Sequence, residues 1–136
     1  MARKIPKRGK DLGVQIAWMQ RFFPRFEYRW GSGIWFGTLR PRDSSPEYVV
    51  RVAARMESTP VVHILEPEII TAPHRYSDRS LCLFYPQDRS WSASSIIALT
   101  IVPWTAEWLW LYECWCDTGE WFGDEAPHSG EKHRPK

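Results

Sequence analysis

The pattern of apolar and polar positions divides this chain into a short helix, a run of strands, a long irregular stretch and a helical C-terminal part. Over residues 11–23, Leu12, Ile16, Met19 and Phe23 recur at helical spacing and Pro24 supplies a stop, which predicts a first helix. Residues 25–30 and 34–40 read as two strands of a hairpin turned at Gly31-Ser32-Gly33, with Pro41 ending the second. After a polar loop at 42–46, the Val-rich stretch 47–56 predicts a third strand, and 61–65, following Pro60, a fourth. Residues 66–88 contain Pro67, Pro73 and Pro86 and keep no hydrophobic period, so they are expected to form a loop, where functional residues concentrate.

Beyond Trp91, Ser92 offers a cap for a helical run over 92–102, which Pro103 is expected to interrupt. A further helix over 104–116 would carry Trp104, Trp108, Leu111 and Trp115 on an inward face, with Gly119 closing it. Glu107 and Glu113 would then face solvent. One helix, four strands, a long loop and C-terminal helices predict an α+β domain over 11–122, its helices packed on an antiparallel meander. A basic N-terminal tail at 1–10 and a polar tail at 123–136 flank it.

Composition alters this picture in two respects. Nine Trp, five Tyr and six Phe among 136 residues are more aromatics than folding requires, so either the core is unusually aromatic or part of that surface meets a partner. Trp110 and Trp121, off the inward stripe, and Trp35 with Phe36 on the second strand are the candidates. The formal charge is only +2, yet Arg3, Lys4, Lys7, Arg8 and Lys10 crowd the first ten residues and leave an acidic remainder. Basic and aromatic residues are not interleaved, so nucleic acid is not an expected partner. The absence of a long apolar run or a signal-type leader predicts a cytoplasmic protein without membrane contact.

The candidate chemistry lies at Cys82. A thiolate is a good acyl acceptor, and the thioester it forms stays reactive toward amines. The polar loop Pro73-His74-Arg75-Tyr76-Ser77-Asp78-Arg79-Ser80 turns apolar at Leu81-Cys82-Leu83, and its cations would favour a thiolate. On residue type alone, a Leu-Cys-Leu-Phe run is more often core. Cys114-Trp115-Cys116, even with His128, does not have zinc-finger spacing, and neither a metal nor a cofactor is expected. Asp78 is placed either to orient an incoming lysine or to balance Arg79.

The order of these segments resembles the ubiquitin-conjugating (UBC) enzymes, and in particular their bacterial relatives in short type II CBASS antiphage operons. That family follows its meander with a loop bearing His-Pro-Asn, then Gly-x-(Ile/Leu)-Cys-Leu, then Trp-Ser. The corresponding residues here are Ala72-Pro73-His74, Arg79-Ser80-Leu81-Cys82-Leu83 and Trp91-Ser92. The segment from Trp104 to Trp121, with Ala126-Pro127-His128 after it, is similar to the bacterial branch. The resemblance implies a UBC-like fold, Cys82 as the thioester-forming nucleophile, and His74 in place of the Asn that supports the loop and donates to the oxyanion. It also implies a partner, the C-terminal tail of a cGAS-like nucleotidyltransferase. With no Gly-rich nucleotide loop in the chain, activation of that tail would fall to an enzyme acting in trans. The alternative reading is a degenerate UBC-like module that activates the nucleotidyltransferase by binding alone.

Overall fold

The computed structural model describes residues 12–54, 59–84, 91, 92 and 94–123. The N-terminal tail, residues 124–136 of the C-terminal tail with His128, the end of the expected third strand and residues 85–90 of the loop lie outside this set.

Helix α1 (Leu12–Phe22) precedes strands β1 (Glu27–Arg29), β2 (Ile34–Leu39), β3 (Tyr48–Ala53) and β4 (Val61–Glu66), which form one antiparallel sheet in the order β1-β2-β3-β4. A 3-10 turn (Ile97–Leu99) leads into helix α2 (Ile101–Thr118). This is the expected α+β architecture, and it is consistent with a UBC-like fold. No helix among the described residues is long and apolar enough to cross a membrane.

Strand alternation decides which side chains enter the core. Trp35 and Leu39 of β2, Tyr48, Val50 and Val52 of β3 and Val62 of β4 are buried and form one cluster with Met19 of α1 and Ile101, Val102, Trp108 and Leu109 of α2. Trp35, expected on a partner-facing surface, is therefore corrected to a core residue at 2% exposure. Its neighbour Phe36 is half-buried on the other face, with the Arg29 guanidinium 4.5 Å above its ring. Gly37 is required by a close approach, because a Cβ there would overlap the Phe26 ring.

The strand ends differ slightly from the sequence pattern. Phe26 N–H donates to the Phe23 carbonyl and holds 23–26 in a turn, so β1 begins at Glu27. Glu47 is not in β3 but sits near Arg25 (3.3 Å) and Arg40 (3.6 Å). The hairpin turn is as expected, with Gly31 and Gly33 at φ 83° and 75°.

The larger correction concerns Pro103. It does not separate two helices but lies in the first turn of α2, where a missing N–H removes only a donor that has no intrahelical partner. Ser92 caps a turn instead of a helix: its hydroxyl accepts from Ser94 N–H, and its own N–H donates to the Ser95 hydroxyl. The buried Gln15 ties α1 to this turn, donating to the Ser95 carbonyl and accepting from Ile97 N–H at 3.0 and 2.9 Å. Gly119, at φ 83°, closes α2 as expected by donating to the Trp115 carbonyl.

Glu113 is also corrected. Instead of facing solvent, its carboxylate accepts hydrogen bonds from the hydroxyls of Ser45 (2.7 Å) and Tyr48 (2.8 Å), and Arg42 Nε lies 3.2 Å away as an ion pair. Burial, reinforced by that carboxylate, pushes the Tyr48 phenol well above its ordinary range. The cluster fastens the 42–46 loop and the start of β3 to α2. Glu107 is exposed, as expected.

Candidate active site

Beyond β4 the chain folds into a small hairpin that carries the candidate thiol. Arg75 and Leu81 pair as an antiparallel bridge, Tyr76 N–H donates to the Ser80 carbonyl, and Arg79, at φ 72°, donates back to the Tyr76 carbonyl. Asp78 organises the tip: one carboxylate oxygen accepts from both the N–H (2.8 Å) and the hydroxyl (2.6 Å) of Ser80. Those two bonds hold the Asp78 carboxyl below its ordinary pKa.

The carbonyl of His74 is the point of attachment. It accepts from Cys82 N–H at 3.0 Å and from the Trp108 indole N–H at 3.1 Å, while Leu81 N–H donates to the Val62 carbonyl at 2.9 Å. Cys82 is thereby registered against both α2 and β4. His74 accomplishes this from the left-handed region, at φ 59°, which among side-chain-bearing residues Asn, Asp and His enter most readily. His74 is thus a residue type suited to the conformation that this position adopts. The imidazole lies against Trp121, 4.8 Å between ring centroids, and Trp121 in turn packs 5.5 Å from Trp108.

Cys82 is 7% exposed, between Leu81 and half-buried Leu83. Its Sγ lies 3.5 Å from the Tyr76 hydroxyl and 4.0 Å from the Phe84 carbonyl oxygen. Tyr76 is 41% exposed, yet partial burial of its phenol and the contact with Cys82 push it above its ordinary range; it is a neutral O–H able to donate to a thiolate or to a nearby oxyanion. Tyr76 was not a candidate from sequence. Its position two residues beyond His74 was the available signal, because alternation in a hairpin returns it to the side of the thiol.

The hairpin, sheet and helices around Cys82 lie within a stretch that matches a known family: the family model described as type II CBASS E2 protein covers residues 15–129. The chain belongs to that family. No individually curated protein matches it. As a CBASS E2 protein it has a role in CBASS antiviral defence alongside the other components of the operon, and its activity is, at the coarse level, of the E2-like conjugating type.

The remaining site residues of this CBASS E2 protein are dispersed. Trp121 is half-buried beneath His74, not free on the surface. Trp110 is 44% exposed on α2, with the Arg42 guanidinium 5.9 Å over its ring. All three cysteines are unbridged, and no group of three or more potential metal ligands occurs among the described residues.

Proposed function

We propose that Cys82 receives the activated C-terminal glycine of a cGAS-like nucleotidyltransferase as a thioester and so primes or regulates that enzyme. The thiolate attacks the glycine carbonyl carbon, a tetrahedral oxyanion forms, and its collapse expels the activating group, leaving the acyl group on sulfur. The observation that carries this reading is the fastening of Cys82: its N–H is held by the His74 carbonyl, and its sulfur lies against the Tyr76 hydroxyl. His74 takes the loop-supporting part of the family Asn's task through its backbone, and Tyr76 the donor part through its phenol. Asp78 builds the hairpin that presents both. A residue only 7% exposed suits a slim extended tail ending in glycine better than a bulky acyl group. Activation of the tail is assigned to an enzyme in trans.

Incubating the chain with its operon's nucleotidyltransferase and an activating enzyme should give a higher band on a gel that thiols dissolve. Cys82→Ala should remove the band, and an unchanged band in that variant would assign the nucleophile elsewhere.

A second reading, a binding module without covalent chemistry, draws support from the low exposure of Cys82 and the packing of the His74 ring on Trp121. It predicts that activation of the nucleotidyltransferase survives Cys82→Ala and fails on Trp110→Ala.

A further inference from the structure

The reverse side of the thiol hairpin lines a half-open cavity. Side chains alternate across a two-stranded ladder, so Arg75 and Leu81 are directed opposite to their neighbours His74 and Cys82. With Arg79 they line a cavity of about 160 Å³ whose far wall is Arg51 of β3 and His63 of β4. Those two residues are cross-strand partners, on the sheet face turned away from the core formed by Val50, Val52 and Val62.

Three buried nitrogens around this cavity have no hydrogen-bond partner among the described residues: Arg51 Nε, His63 Nδ1 and Arg75 Nε. Orphaned buried polar atoms are costly and few in folded proteins, so three at one cavity mark the place of an absent partner. Their chemistry is specific. The two arginine nitrogens only donate. His63 Nε2 faces the Asp78 carbonyl at 3.1 Å and must carry the hydrogen, which leaves Nδ1 of a neutral ring as an acceptor.

The charge balance points the same way. Arg79 is offset by Glu68 at 3.7 Å, and the Asp78 carboxylate is occupied by Ser80. Arg75 uses its two terminal nitrogens on the neutral carbonyls of Ile69 and Ile70. Arg51 has no ion-pair partner among the described residues. The acid in its cross-strand row, Glu27, is two strands away, about 10 Å at ordinary strand spacing. Three arginines against two carboxylates leave the lining positive. Burial and the nearby Arg79 charge lower the Arg75 pKa, the behaviour of a cation lacking a counterion. The volume is well below that of sites for whole drug-sized ligands, so it admits one small group.

We propose that this cavity binds a single hydrogen-phosphate-type oxoanion, its oxygens accepting from Arg51 and Arg75 Nε–H and its P–OH donating to His63 Nδ1. The site requires neither Cys82 nor a thioester, so it stands or falls independently of the conjugating reaction. Isotope-labelled full-length chain is titrated with inorganic phosphate at constant ionic strength while the amide and side-chain signals of Arg51, His63 and Arg75 are followed. Saturable shifts confined to the cavity are expected. Arg51→Gln should weaken binding about tenfold or more, the value of one charge-assisted hydrogen bond.

Sulfate supplies a second measurement on the unaltered chain, needed in case Arg51→Gln disturbs the sheet. It matches phosphate in shape but lacks the acidic hydrogen at neutral pH, and should bind several-fold more weakly. Glycerol 3-phosphate, whose dianion also lacks a P–OH at neutral pH, separates the sources: several-fold weaker binding than phosphate assigns the site to the free ion, and binding as tight as phosphate would overturn the donation to His63. Linear, unsaturable shifts, equal affinity for sulfate, or unchanged affinity in a folded Arg51→Gln chain would overturn the proposal.

Discussion

Tyr76 and His74 both meet Cys82, one through its phenol and the other through its backbone carbonyl. The Tyr76 hydroxyl, 3.5 Å from Cys82 Sγ, is protonated through the neutral range like any phenol, and partial burial and the neighbouring sulfur oppose its ionisation further. When the thiol loses its proton, that O–H can turn to donate to the thiolate. Tyr76→Phe keeps the ring and removes only the donor, so Cys82 alkylation by iodoacetamide near neutral pH should slow by about tenfold, the worth of one hydrogen bond to a charged group. Comparing alkylation rates of the two proteins across pH checks this, and equal rates would remove Tyr76 from the site. His74, expected to act through its side chain, also holds the thiol segment through its carbonyl and its left-handed φ.

The elements are held in register by a few polar contacts between segments distant in sequence. Glu113 of α2 collects Ser45, Tyr48 and Arg42, so Glu113→Ala leaves a buried phenol and a half-buried guanidinium without their acceptor. A loss of roughly 2 kcal/mol in unfolding free energy is expected from such stranded donors, measured by urea titration. Within the sheet, Gly37 is the tightest point. A methyl group at Gly37→Ala collides with Phe26 and should cost about 1–3 kcal/mol by overpacking, read in the same titration. Gly37→Ala also tests the packing of the 23–26 turn on β2, because truncating Phe26 in the same chain should recover part of the loss.

Across the whole molecule, the hairpin of residues 74–82 joins both layers: Leu81 is tied to β4 and the His74 carbonyl to Trp108 of α2. A partner that docks on α2 therefore acts on an element that also fixes Cys82. Trp110 is the exposed tryptophan of that helix. Trp110→Ala should weaken binding of the nucleotidyltransferase by about tenfold or more if it anchors the interface, a range usual for a tryptophan hot spot. Calorimetry on the separately purified proteins measures it, with Cys82→Ala as the comparison that leaves docking intact. An unaltered affinity in Trp110→Ala would place the interface on another surface.

Local pattern alone determined the first helix, the glycine hairpin, the four-strand order and the Gly119 stop, because each depends on side-chain spacing or on backbone preferences that neighbouring residues settle. The motif around Cys82 made the thiol the candidate nucleophile before any fold was known. Tertiary structure decided the rest. Only the sheet's alternation against a filled core sends Trp35 inward, and only the position of Pro103 relative to a helix start makes it harmless. Glu113 reads as solvent-facing until Ser45 and Tyr48 arrive from some 65 residues away. The same holds for the thiol. Cys82 is named by its sequence context, but what touches it, Tyr76 through a short turn and Trp108 through the His74 carbonyl, follows from hydrogen bonds that exist only once hairpin, strand and helix are packed together.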